Sequence, residues 1–196
     1  MVNKETLLAD IYKYYPSGLN KGNNQNNKKE QLRQKKIKNK NKLLQQEIFK
    51  NILDIAKGYA VVDWTEEESC CYEFKVLLHK NQLILDDDIE LIRSLNGVRN
   101  DLRIFISILE PYYYLFIEEM KYVEEKEAWL FNKIEARDEK VKIMLKEINE
   151  YFSKNGYIRL SYHDVKRSVP NIETELKEFN KVIVFDCLFT DLVTII

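Results

Sequence analysis

At 196 residues the chain has the size of one domain, and its 45% hydrophobic content is enough to bury a core, which excludes disorder throughout. Five glycines and three prolines exclude collagen-like and linker-like chains and argue against a turn-dense all-β design. A formal net charge of −1, from 31 basic and 32 acidic residues, excludes a chain that is polycationic as a whole.

In chain order, Leu7, Leu8, Ile11, Tyr12 and Tyr15 recur at helical spacing over residues 4–15, and Pro16, Ser17 and Gly18 stop that helix. Asp10 and Lys13 interrupt these apolar residues, so no signal-peptide core is expected here. Asn20 to Asn27 is polar and non-periodic, a loop. From about Lys28 to Lys57 one long helix is expected, with an apolar stripe at Leu44, Ile48, Ile52 and Ile55, and Gly58 as terminator. Its lysine-rich first half reads as a solvated extension or a mobile arm.

Charge is segregated along the chain. Between Asn20 and Lys50 ten basic residues face two acidic ones, a local balance of +8 that leaves −9 for the rest. From Cys71 the period changes to two: Tyr72, Phe74, Val76 and Leu78 alternate with the residues between them, which predicts a strand. Asp86-Asp87-Asp88 opens a polar connection or a short helix through Leu95, with Gly97 at a turn. Residues 102–109 and 112–122 predict an antiparallel hairpin broken at Glu110-Pro111, and a further strand is expected near Trp129, Phe131 and Ile134.

Val141, Leu145, Ile148 and Phe152 predict a helix that Asp138 caps or charges and that Asn155-Gly156 ends. Ile158 to Leu160 reads as a short strand, and Ser161 with Asp164 as a capping pattern for one helical turn. Residues 171–176 read as a short helix. Lys181 to Thr190, a near-continuous apolar run, reads as a central strand covered on both sides. Strands grouped in the middle and helices at both ends predict an α+β fold. Its central antiparallel or mixed sheet would carry packed helices and follow N-terminal helices, all within one domain of residues 1–196.

The chemistry-bearing residues are few. Cys70, Cys71 and Cys187 form no CxxC pair and are odd in number, so reduced thiols in a cytoplasmic protein are expected, without a disulfide framework or zinc site. No stretch reaches the length of a membrane span. His79 and His163 show no partner spacing, nucleotide-loop and hydrolase signatures are absent, and neither a cofactor nor a metal is expected. Asp86-Asp87-Asp88 lacks the spaced ligands of a calcium loop and reads as a solvated turn.

Two features remain. In the first, a strand through Tyr112-Tyr113-Tyr114 and Phe116 presents aromatic residues on both faces. One set fills the core, and the other is either buried under a helix or exposed beside Glu110, Glu118, Glu119, Glu124, Glu125 and Glu127 as a contact surface. The second is the basic run Lys28, Lys29, Arg33, Lys35, Lys36, Lys38, Lys40 and Lys42. It reads either as a solvated arm docked on the protein's own acidic surface or as a phosphate-binding segment. Against phosphate binding, Arg33 is its single arginine, no aromatic residue is interleaved, and the remainder of the chain is acidic.

The segments Leu8 to Leu19 (LADIYKYYPSGL), Cys71 to His79 (CYEFKVLLH) and Ile104 to Glu119 resemble small bacterial immunity proteins encoded beside secreted polymorphic toxins. The resemblance covers about half of the chain and brings no catalytic residues with it. It implies a non-enzymatic cytoplasmic protein that binds a cognate toxin stoichiometrically, and the lysine-rich segment has no counterpart in it. Many such toxins act on nucleic acids through basic clefts, which an acidic face would fill. The residues expected to form that face are Asp86, Asp87, Asp88, Tyr112, Tyr114, Glu118, Glu119, Glu124 and Glu125.

Overall fold

A computed structural model describes residues 2–18, 24–79 and 89–193. Asn3 starts the first helix, α1 (Lys4–Tyr12), by accepting the Glu5 N–H on its side chain. The long helix expected over 28–57 is two helices, α2 (Asn24–Lys38) and α3 (Lys42–Ile55). The break has a local cause. Asn41 is extended and its side chain accepts the N–H groups of Leu43 and Leu44, so a new helix begins there. The apolar stripe of α3 starts only after that cap, with Ile48 and Ile52 buried.

Strand β1 (Ala60–Asp63) was not expected and pairs with β2 (Cys71–Leu77). A short helix α4 (Ile89–Ser94) leads into β3 (Val98–Ser107), which turns back as β4 (Tyr112–Val123). A 3-10 turn at Glu124–Lys126 joins β4 to β5 (Ala128–Ile134). Asp138 caps α5 (Glu139–Lys154) through the Lys140 N–H, and Gly156 sits at a positive φ of 79° just beyond it. Strand β6 (Ile158–Arg159) follows, then α6 (Tyr162–Val165), whose Ser161–Asp164 capping box is formed as expected.

The fold is α+β, with N-terminal helices and a central sheet. Among the described residues β1, β2, β3, β4 and β5 follow one another in antiparallel order. The sheet is mixed through β6, which runs parallel to β4 at Tyr112 and Tyr113. Along one edge, β4 therefore pairs first with β6 and further on with β5. No helix of the described residues is long and apolar enough to cross a membrane.

Over β2, β3 and the first half of β4 both faces of the sheet are covered. Phe74, Leu102, Ile104, Ile106, Leu115 and Ile117 pack under α3 and the buried Val141, Met144, Ile148 and Phe152 of α5. On the other face Cys71, Phe105, Tyr112, Tyr114 and Phe116 meet α1, Tyr14, Tyr15 and the C-terminal segment. The run 181–190 belongs to that cover and is no central strand. It makes one isolated bridge, Ser168 with Ile183, and then coils into α7 (Val184–Leu188). An apolar run this short suits a buried helix as well as a strand. Here the Asp186 carboxylate accepts the Ile183 N–H at 2.9 Å and turns the chain into a helix. Residues 171–176 are irregular instead of helical, with Asn171 and the later Asn180 at positive φ.

Candidate functional site

Of the residues expected to form an outward acidic and aromatic face, the structure buries three. Tyr112 and Tyr114 are each 2% exposed. The Tyr112 hydroxyl donates to Asp10 of α1 at 2.7 Å, and the Tyr114 ring meets Phe185 of α7 edge-on at 6.1 Å. The reason is the cover just described: the C-terminal segment closes over the second aromatic set of β4, so that set is core. Glu118 is buried as well and accepts a hydrogen bond from Arg103 Nη1 at 3.1 Å. Asp86, Asp87 and Asp88 lie outside the described residues.

Glu118 belongs to a charged stripe that continues the aromatic face along the strands. Arg103 sits between two carboxylates, donating through Nη2 to Glu73 Oε1 at 2.5 Å and resting over the Phe105 ring at 5.0 Å. Beside it Arg99 pairs with Asp101 at 2.7 Å, and the Lys75 ammonium lies 3.9 Å from the centre of the Trp64 ring. All six charged side chains are buried. Burial pushes the Glu73 carboxyl above its ordinary pKa, with Arg103 opposing. The guanidinium of Arg103 occupies both glutamates, which makes this a structural ion network. Its sequence signal was a run of charges at every second position, 99, 101 and 103, matched by 73 and 75 on β2.

Of the acidic residues expected on that face, those that reach solvent lie at the far end of the β4–β5 hairpin, while Glu66, Glu67 and Glu68 form another exposed trio between β1 and β2. Glu124, Glu125 and Glu127 are exposed on the loop, with Glu127 at a positive φ of 46°. Arg93 of α4 grips Glu124 with two hydrogen bonds, 2.7 and 2.9 Å, and this contact lowers the Glu124 pKa. Glu119 is half-buried and pairs with Lys121 at 2.6 Å. At the base of the loop the half-buried rings of Tyr122 and Trp129 meet at 5.2 Å. Of the residues expected on that face, Glu124 and Glu125 are exposed just beyond the end of β4, whereas Tyr112, Tyr114 and Glu118 within it are buried.

The basic segment divides by helical geometry. Glu30, Arg33, Gln34 and Ile37 share the side of α2 that touches the body. Arg33 lies over the Tyr15 ring at 4.6 Å and pairs with Glu30 at 2.7 Å. Lys40 turns inward, donating to the carbonyls of Glu66 and Glu67 and to Ser69 Oγ, and burial lowers its pKa. Lys28, Lys35, Lys36, Lys38 and Lys42 are exposed, while Lys29 is half-buried. A cleft opens on each side of α2. The first, about 840 Å3, mixes Arg33, Lys38, Lys40 and Lys42 with Glu67, Asp186 and Asp191; the second, about 880 Å3, is bordered by Tyr14, Lys36, Tyr72 and Tyr157.

Of the remaining chemistry-bearing groups, Cys70 and Cys187 meet at the Tyr15 hydroxyl, which donates to the Cys187 carbonyl at 2.8 Å and lies 3.8 Å from Cys70 Sγ. His163 is exposed on α6. His79, half-buried after β2, has two enclosed ring nitrogens with no hydrogen-bond partner among the described residues. Cys70, Cys71 and Cys187 are buried, and burial pushes all three thiols upward in pKa, away from the nucleophilic thiolate. Among the described residues no three His, Cys, Asp or Glu side chains gather as a metal-binding group. No protein-family model, no curated protein and no solved structure matches this chain.

Proposed function

We propose that this chain is a non-enzymatic immunity protein that binds and neutralises a cognate bacterial toxin inside the cell, docking through the end of the β4–β5 hairpin. The observation that supports this reading is the trio Glu124, Glu125 and Glu127, exposed on one loop above the half-buried Tyr122–Trp129 pair. Three carboxylates on a protruding loop fit a basic cleft of the kind that holds nucleic-acid phosphates. Such charge raises the encounter rate by roughly 10- to 1,000-fold at low salt, and the aromatic base supplies desolvated contact once docked. Arg93 pairs with Glu124, and the exposed Lys126 lies between Glu125 and Glu127 on the same loop, so the loop with Arg93 keeps one net negative charge, carried by Glu125 and Glu127.

The test is co-purification with the protein encoded by the adjacent gene, followed by stopped-flow association at several salt concentrations. Reversing Glu125 and Glu127 to Lys leaves the Arg93–Glu124 pair in place. It is expected to slow association at least about tenfold at low salt while leaving dissociation nearly unchanged. Association at the unaltered rate would remove this loop as the docking site.

A second reading uses nucleic acid as the partner. It rests on the exposed lysines 28, 35, 36 and 38 of α2 and on Lys42 at the start of α3, which have no ion pair among the described residues. Fluorescence anisotropy with single- and double-stranded probes decides it. Binding must weaken steeply with salt, and silence at low ionic strength eliminates this reading.

A further inference from the structure

The seven residues of β5 form one edge of the sheet among the described residues. Which of its groups are free follows from the hydrogen bonds around β4. The carbonyls of Pro111 and Tyr113 accept from Ile158 and Leu160, so odd-numbered residues of β4 turn their backbone groups toward the β5–β6 side. Ile117 stands opposite Ile134, and Lys121 opposite Leu130, so Ala128, Leu130, Asn132 and Ile134 bond to β4. Trp129, Phe131 and Lys133 therefore point their N–H and C=O groups outward, and β5 pairs with no second strand among the described residues.

This margin is also apolar. Leu130 and Phe131 are 48% and 44% exposed, and Ile158 of β6 and Tyr162 of α6 are exposed along the same side of β4. Lys133 is the only charge within β5, and its ammonium already lies over the Tyr162 ring at 4.2 Å. The opposite edge differs: β1 has only four residues, ends at Asp63, and has α3 packed against it. Proteins normally shorten, charge or cover such edges, because a long apolar one accepts another strand.

We propose that β5 pairs with β5 of a second copy, antiparallel about a two-fold axis at Phe131, so that the two sheets become one. The strand is self-complementary in that register. Phe131 faces its own counterpart, and Trp129 stands opposite Lys133 of the second copy, a cation beside an indole, twice over. All three outward residues then form ladder pairs along a strand of roughly 23 Å. A two-fold axis between like strands fixes the antiparallel sense. The contact is isologous and closes at two copies. The acidic loops of the two copies lie at opposite ends of the joined sheet.

Sedimentation equilibrium or light scattering on the full chain tests this. The expected mass is about 47 kDa, twice the 23.5 kDa of the chain, near 100 μM, with dissociation on dilution. Phe131→Pro removes an outward N–H that β4 does not use, so the hairpin keeps its own ladder; the variant should be monomeric with unchanged circular dichroism. Phe131→Lys brings two like charges to the axis and should be monomeric too. Leu43→Lys, at an exposed position on α3, should leave the dimer intact. A wild-type monomer near 100 μM overturns the proposal, as does a dimer that survives both Phe131 variants or an assembly larger than two. A wild-type chain that is monomeric and loses its toxin on Phe131→Pro likewise overturns it and assigns the edge to a strand of the toxin.

Discussion

One face of the sheet is closed by hydrocarbon, whereas the other changes from aromatic to ionic halfway along the strands. Under α3 and α5 the strand residues Phe74, Ile104, Leu115 and Ile117 meet Ile48, Ile52, Ile148 and Phe152, with no charge among the buried residues of that cluster. Across the sheet, Phe105, Tyr114 and Phe116 meet α7, and further along the same strands come Arg103, Glu73 and Glu118. The difference shows what a sheet face requires of its cover. Helices with an apolar stripe suit aliphatic rows, while a face without such a stripe over it can bury charge only where every charge finds a partner.

Four experiments test the difference between the two faces. The largest effect belongs to the ionic half. Arg103→Ala leaves Glu73 and Glu118 buried without their cation and should cost about 3–5 kcal/mol in urea unfolding. Replacing all three residues by Leu or Met of similar volume should recover most of that loss. Failure to recover would mean that the network does more than satisfy itself. On the hydrocarbon face Ile148→Ala, at a fully buried position of α5, should cost about 2–5 kcal/mol with the slope of unfolding against urea unchanged.

Smaller effects come from the margins. Asn41→Ala removes the cap that divides the basic segment and should lower stability by about 1 kcal/mol, read as a shift in the urea midpoint. The smallest effect is that of pH on His79. Burial first, then Arg99, holds its pKa below the ordinary 6.5, so the unfolded chain takes up the proton before the folded one does. That contribution is complete above about pH 6.5 and is lost as pH falls below it. A plot of melting temperature against pH from about 7 to 5 should flatten in His79→Phe. An unchanged slope would place the acid sensitivity elsewhere.

The site was legible in the sequence only in part, and particular residues show why. Period-two alternation announced β2, β3 and β4 and their hairpin, and the same alternation showed that Tyr112 and Tyr114 share a face. Whether that face is open depends on Phe185 and Phe189, some seventy residues away, whose apolar run has the length and composition of a strand. Glu118 and Glu119 are neighbours in sequence, yet one is sealed against Arg103 and the other pairs with Lys121 nearer solvent, as their alternation across the strand requires. The lysine run was visible at once, but the inward turn of Arg33 and Lys40 was not. It depends on Tyr15 and on the carbonyls between β1 and β2.

By itself the sequence determined what is local: the stripe of α5 and its Asp138 cap, the Ser161–Asp164 box, the alternation of the strands and the segregation of charge. These rest on interactions within a few residues of one another, which leave a periodic trace in the chain. Tertiary structure alone decided which aromatic set is core, where the run 181–190 coils into α7, and which edge of the sheet stays open. Those outcomes depend on contacts between residues far apart in the chain, and a surface counts as buried or free only once its cover has arrived.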